Sequence, residues 1–283
     1  MADIDWNALI SDDDDNGDLD DATNYSGGSK ATASDNLRFT PEGNRPVTAG
    51  LDAYAAVALG KIINNQFPAK IGASDEFMEF LSATKLKHDG LADCYYQGDC
   101  PLVIIYDTGA GAVHLRNDNG AGSPQDFDLV YALGGVVFID DHPTNNTDLD
   151  TLHVFPGAEV TIAEGVVRAG TKKIVFHGGG IVHDKTGGDI LIEGDGGVYY
   201  LEDDAALTHS GALDIGVKFV HLSSGDCGDL NLINKGELET KNNTRGGTAG
   251  DITRFPSAKH DLDSPESGVT ADSVAEAVEG IAA

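Results

Sequence analysis

The chain's best match to a chemical motif is a run of acids near its N-terminus. The segment Asp12-Asp13-Asp14-Asp15-Asn16-Gly17 has oxygen ligands at the first, third and fifth positions of a calcium loop and the turn glycine at the sixth. The twelfth position holds Thr23, where such a loop needs a bidentate Glu. Because a run of Asp produces this pattern by chance, we interpret the segment as a solvated tail. The sequence does not identify metal ligands, and weak binding of a divalent cation or of K⁺ is an alternative.

Two further groups of acids have the residue types of an acid/base site. Asp140-Asp141-His142 joins two carboxylates and an imidazole, and polar loop formers follow it, which predicts an exposed turn after a strand. Glu202-Asp203-Asp204 offers paired carboxylates, with Glu193 and Asp195 nearby in sequence. Acid pairs occur throughout this sequence, and nucleophile elbows, phosphate loops and dinucleotide fingerprints are absent. We therefore predict no catalytic residue, no cofactor-binding residue and no enzyme activity.

Histidines and cysteines are the other candidate ligands. If three of the histidines named in the next sentence came together in the fold, they would resemble the zinc site of left-handed solenoid carbonic anhydrases. The hexapeptide repeat of that family is, however, absent from the sequence. The histidines in question fall on or near successive expected strands: His153, His177, His183, His209 and His221. Three cysteines are too few for a disulfide framework and are expected to be structural: Cys94, Cys100 and Cys227.

Charge is the most distinctive property of the composition. The 283 residues include 47 Asp and Glu but only 18 Lys and Arg, which gives a net charge of −29. Acidic groups on such a surface repel one another in dilute buffer. In molar salt the Debye length falls to about 3 Å, and this repulsion nearly vanishes. Without Lys/Arg clusters to neutralise phosphates, nucleic acid is not an expected partner.

Targeting signals are not visible in the sequence. The acidic start lacks a positive segment and an apolar core, so we expect no secretory signal and synthesis in the cytoplasm of a host. The longest apolar runs, such as the one from Tyr131 to Ile139, are far shorter than the roughly 20 residues of a membrane helix. A membrane is therefore not an expected partner.

Residues 1–47 have the composition of an acidic flexible tail. The exception is an apolar cluster formed by Ile4, Trp6, Leu9 and Ile10, which includes the single tryptophan. We interpret these four residues as a docking segment that binds a partner. The alternative is that the cluster folds back on its own domain.

Helical patterns flank the middle of the chain. Apolar residues at helical spacing over 51–63, and a second stretch with Ser74 as N-cap, predict a small helical base over residues 48–101. Residues 253–283 are expected to form a loose segment and then a short helix capped by Thr270.

Residues 102–252 show period-two strand patterns separated by glycine-rich turns. Similar pieces recur every 15–20 residues or so, which fits stacked coils and leaves no room for helical crossovers. The segment from Leu152 to Ile162 resembles the start of a coil in phage tailspikes and pectate-lyase-like proteins. We therefore expect a mainly β chain with a small α part. A parallel β-helix or solenoid is preferred, and a jelly-roll barrel or sandwich is the alternative.

The acidic, glycine-rich profile resembles virion structural proteins of haloarchaeal viruses, such as capsid turrets, decoration proteins or spikes. This resemblance implies assembly as a symmetric trimer or pentamer, other virion proteins as partners and a location in the virion. The competing hypothesis is a β-helix enzyme of a halophile that acts on polysaccharide, with the neighbourhood of Asp140 or Glu202 as its site.

Overall fold

The computed structural model describes most of the chain and divides it into two compact units, unit 1 (Met1–Leu149) and unit 2 (Asp150–Ala283). Strands dominate both units, and a 3-10 helix lies at Ala22–Asn24. The described residues are 2–9, 17–117, 127–143, 146–167, 170–209, 213–233, 236–240, 252–254 and 269–271.

Unit 1 is a stack of coils whose neighbouring strands pair in parallel. The long fourth strand pairs with the fifth strand through its first half and with the sixth through its second half. The strands are β1 (Asp3–Trp6), β2 (Asn36–Phe39), β3 (Tyr54–Asn65), β4 (Met78–Asp89), β5 (Cys94–Asp99), β6 (Leu102–Asp107), β7 (Ala112–Arg116), β8 (Phe127–Ala132), β9 (Gly135–Ile139) and β10 (Thr147–Val154), which continues into unit 2.

Unit 2 repeats this construction with shorter strands. They are β11 (Ala158–Ile162), β12 (Val166–Val167), β13 (Lys172–His177), β14 (Ile181–Asp184), β15 (Gly187–Gly188), β16 (Ile190–Asp195), β17 (Val198–Leu201), β18 (Ala206–Leu207), β19 (Leu213–Ile215), β20 (Lys218–His221), β21 (Leu230–Leu232), β22 (Glu237–Thr240), β23 (Ile252–Arg254) and β24 (Val269–Ala271).

These registers confirm the parallel β-solenoid that the sequence favoured over a jelly roll or sandwich. A jelly roll is built from antiparallel strands, whereas the strand registers described for both units are parallel, as is that of β21 with β23, and β23 pairs antiparallel with β24. Solenoid coils stack about 4.8 Å apart, so identical positions of successive coils lie directly above one another.

The core of unit 1 contains a column of aliphatic side chains at matching positions of five strands. Each member is buried and contacts the equivalent residue of the next coil, which removes its apolar surface from water on every side. The column consists of Leu37, Ile62, Leu86, Val103 and Val130.

We expect Ile62→Val to lower the free energy of unfolding by about 0.5–1.5 kcal/mol, because it deletes one methylene from this packed column. Ile63→Val is the matched control, since the neighbouring Ile63 is only half-buried on the outward side of β3. Urea unfolding of both variants measures the difference. Equal losses would contradict the inward assignment of Ile62.

The core of unit 2 contains corresponding columns, and glycine turns let its coils approach closely. Gly194 has a φ of +84°, and a Cβ there would lie 1.9 Å from the carbonyl oxygen of Phe176. The buried columns are Leu152 with Ile174 and Ile192, and Val160 with Val182, Tyr199 and Phe219.

The expected helical base over residues 48–101 is wrong, because its two helix candidates form β3 and β4. The register of β4 shifts between Glu79 and Ser82. The buried positions Phe80, Ala83 and Leu86 are consequently three apart, which imitates helical spacing. Leu81, which lies between two of these buried positions, is 53% exposed.

The terminal segments also differ from expectation. The described parts of residues 1–47 are packed, with β1 and β2 in the parallel sheet, and do not form a flexible tail. Thr270 lies within β24 and does not begin a helix, and residues 272–283 lie outside the described residues. The contacts within the chain divide it into two units after Leu149.

Candidate functional site

A ladder of stacked rings runs across the outward side of unit 1. The strand registers align Tyr95 of β5 with His114 of β7, and His114 with Phe138 of β9. The ring centroids of Tyr95 and His114 are 4.3 Å apart, and those of His114 and Phe138 are 4.6 Å apart, with nearly parallel planes in both pairs. The rings therefore cover one another's faces, which suits a rigid stack better than a platform for a flat ligand.

Asp140 fixes the histidine of this ladder. It follows β9, and its Oδ2 lies 2.8 Å from Nδ1 of His114, both side chains being partly exposed. Asp141 next to it is exposed, whereas His142 is buried. Asp140, the first residue of the segment Asp140-Asp141-His142, thus pairs with a histidine on another strand.

A second histidine, in unit 2, lies between two carboxylates. His183 of β14 has its Nδ1 2.9 Å from Oε1 of Glu202 and its Nε2 3.6 Å from Oε1 of Glu159. Its ring stacks on Tyr200 of β17, with centroids 4.7 Å apart. An imidazole that faces two partly exposed carboxylates has the groups needed to move a proton.

Two further histidines of unit 2 contact each other directly. Nδ1 of His153 lies 2.8 Å from Nε2 of His177, whose ring stacks on Phe155 with centroids 4.2 Å apart. Burial, then the neighbouring His177 and Lys173, lower the pKa of His153, although Glu193 opposes them. A hydrogen bond over this distance requires one of the two nitrogens to donate and the other to accept.

A groove of about 500 Å³ opens beside this histidine pair. His177, Glu193, Asp195 and Asp214 contribute its charged and polar lining. Carboxylates therefore outnumber cationic groups there, and the groove suits neutral or cationic molecules better than anionic ones.

The five histidines considered for zinc do not converge. His183 lies with its carboxylates, His209 contacts the carbonyl of Cys227 at 3.2 Å, and His221 contacts that of Gly225 at 2.8 Å. Across the part of the chain that the structure describes, no group of three or more His, Cys, Asp or Glu is arranged to hold a metal ion.

The cysteines are free, buried thiols: Cys94, Cys100 and Cys227. Burial raises the pKa of each to about 12. The thiols are therefore protonated at neutral pH, which makes them poor nucleophiles.

The four residues predicted to form a docking segment have different environments. Trp6 is fully buried, and its ring meets Tyr25 edge to face with centroids 5.4 Å apart. Ile4 and Leu9 are half-buried, and Ile10 lies outside the described residues. The structure thus places Trp6 inside its own unit, which is the alternative that the sequence left open.

Sequence analysis identified Asp140, Glu202 and His183 but missed His114 and the pairing of each histidine with its acid. One feature of the sequence could have revealed His114, His183 and the rings stacked on them. The two rings of each stack occupy equivalent positions in neighbouring coils. That signal becomes readable only once the coil register is known.

No helix among the described residues combines the length and apolar character required to cross a bilayer. Comparisons of the chain with family models, with curated proteins and with solved structures give no match.

Proposed function

We propose that the chain is a structural protein of a halophilic virus, a spike, turret or decoration subunit that assembles as a symmetric oligomer in concentrated salt. The observation that carries this proposal is the placement of charge on the solenoid. Within the described ranges, the buried carboxylates are those of Asp148 and Asp184, and every other acid is at least partly exposed. The acid excess therefore lies on the surface, where dissolved cations screen it.

The few cations do not balance this surface. Several lysines of unit 2 pair with acids of adjacent coils, and exposed pairs of this kind contribute roughly 0–1 kcal/mol each. The pairs are Lys173 with Glu193 at 2.8 Å, Lys185 with Asp203 at 3.5 Å and Lys218 with Glu239 at 2.7 Å. The remaining acids repel one another along the coils, which favours a protein adapted to high salt.

We expect the free energy of unfolding to rise steadily with KCl, because screening removes repulsion between exposed carboxylates. Urea unfolding at increasing KCl, followed by far-UV circular dichroism, measures this dependence. A variant with exposed acids made neutral, Asp52→Asn, Asp75→Asn and Glu76→Gln, should need less KCl for the same midpoint. Stability that is indifferent to KCl in both proteins would contradict the proposal.

The arrangement around His183 favours a second candidate, an enzyme acting on polysaccharide. Glu159 and Glu202 flank the imidazole on a partly exposed face, and carboxylates serve as acid and base in glycoside cleavage. Turnover of a neutral glycan in KCl that disappears in Glu202→Gln and persists in the control Asp203→Asn would support this candidate. Turnover that is absent, or equal in both variants, would exclude this site.

A further inference from the structure

Unit 2 buries a lysine against an aspartate inside one coil. Lys172 is the first residue of β13 and Asp184 the last residue of β14, and their side chains are 3% and 0% exposed. Nζ of Lys172 lies 3.1 Å from Oδ2 of Asp184. The pair therefore reaches across the interior of the coil that contains both strands.

Hydrogen-bond donors surround the two carboxylate oxygens of Asp184. Oδ1 accepts from the backbone N–H groups of Thr186 at 2.9 Å and Gly187 at 3.1 Å. Oδ2 accepts from the hydroxyl of the fully buried Tyr199 at 2.7 Å. Two N–H groups on one carbonyl oxygen are the arrangement that stabilises the oxyanion of an acyl-transfer intermediate.

Lys172 is held by a second contact. Its Nζ donates to Oγ1 of Thr186 at 2.9 Å, and that hydroxyl donates onward to the carbonyl of Gly187 at 3.1 Å. The amine is thus fixed beside the carboxyl group. Reacting groups fixed at contact distance avoid most of the entropic cost of a bimolecular reaction.

From this geometry we propose that Lys172 and Asp184 condense to form an intramolecular amide bond when unit 2 folds. In the first step a proton passes from the ammonium to Oδ2 over the 3.1 Å contact, which gives a neutral amine and a carboxylic acid. The amine nitrogen then attacks Cγ, and negative charge develops on Oδ1 against the two N–H groups.

The reaction balances without an external reagent. The Nζ–Cγ bond forms and the Cγ–Oδ2 bond breaks. Oδ2 leaves as water with two of the three ammonium protons, and the third remains on the amide nitrogen. The Tyr199 hydroxyl donates to the departing oxygen and is regenerated by a proton from the attacking nitrogen, so no atom is oxidised or reduced. Burial raises the pKa of Tyr199 well above its ordinary value, which keeps this hydroxyl protonated.

The bond would close residues 172–184 into a covalent ring. Such a ring restricts the unfolded chain and cannot be screened by salt, unlike an ion pair. This inference extends beyond the proposed function, since it concerns the chemistry of one coil and holds for either candidate function.

Mass spectrometry of the purified full-length protein under denaturing conditions tests the proposal. We expect the intact mass to be lower than the sequence mass by one water, and fragmentation to identify a branched peptide joining Lys172 to Asp184. The sequence mass, or a water loss located elsewhere in the chain, would overturn it.

Single substitutions test which side chains form the amide bond. Lys172→Met removes the nucleophile and is expected to show the full sequence mass, whereas Lys173→Met, which changes the partly exposed neighbour, should retain the branched peptide. Tyr199→Phe keeps the ring in the core but removes the hydroxyl, so we expect the linked fraction to fall. A branched peptide that is equally abundant in Tyr199→Phe would overturn the role of Tyr199, and one that persists in Lys172→Met would overturn the assignment to Lys172.

Discussion

Replacing Trp6 by Ala is expected to lower the free energy of unfolding by about 3–5 kcal/mol, because it empties a large buried site that the surrounding residues cannot refill. Trp6 is 0% exposed and packs against Tyr25 and Phe39. Its indole N–H donates to the carbonyl of Arg45 at 3.4 Å. The side chain therefore anchors β1 to the rest of unit 1.

Ile4→Ala is the matched control, since Ile4 lies on the same strand but is only half-buried. We expect it to cost about 1 kcal/mol, as is typical of partly exposed positions. Urea unfolding in KCl, followed by circular dichroism because the first variant lacks the single tryptophan, measures both. If Trp6→Ala and Ile4→Ala had equal, small effects, Trp6 would be a docking residue and not a core residue.

Lowering the pH from 7 to 4 is expected to destabilise the protein through His88 by about 3 kcal/mol. His88 is fully buried on β4, and its Nε2 has no hydrogen-bond partner among the described residues. Burial lowers the pKa of His88 from 6.5 to about 3, although Asp107 opposes it. The folded state therefore holds this imidazole neutral.

The sign of the effect follows from proton binding. Below about pH 6.5 the unfolded chain takes up a proton at His88 that the folded chain does not, so acid favours unfolding. The stabilisation is complete above this pH and is lost as the pH falls towards the folded pKa of about 3.

His88→Gln removes the titration and retains a side chain able to hydrogen-bond with Tyr96, whose hydroxyl lies 3.5 Å from Nδ1 of His88. The difference in urea stability between pH 7 and pH 4 should therefore be smaller in His88→Gln than in the parent protein. Measuring both in concentrated KCl suppresses the contribution of surface carboxylates. An identical pH dependence would show that His88 is protonated in the folded state.

The solenoid could be predicted from sequence because the strand pattern that indicates it repeats along the chain. Segments such as Leu152-His153-Val154-Phe155 and Lys173-Ile174-Val175-Phe176 carry the same alternation, and the structure aligns them in adjacent coils. β4 could not be predicted in the same way, because its register shift between Glu79 and Ser82 disrupts the alternation. The register shift is tolerated in the folded strand, but it gives the sequence an apolar spacing that is typical of a helix.

The side-chain pairs could not be derived because they depend on how coils stack. His114 lies 2.8 Å from Asp140, which is 26 residues away in the chain. Lys172 is a cation within an otherwise strand-like segment, and nothing in its local sequence indicates that it turns inward to Asp184. Positions of this kind follow from register, which a single sequence with variable coil lengths does not specify.

The measurement that most directly tests assembly in salt is the absolute mass of the purified protein, by light scattering on a sizing column, in multimolar KCl and again in dilute buffer. We predict a stable trimer or pentamer in KCl that dissociates or unfolds on dilution, because screening is then lost from an acidic surface with a net charge of −29. A monomer of the same mass and the same folded signal in both buffers would contradict the proposal of a halophilic virion subunit.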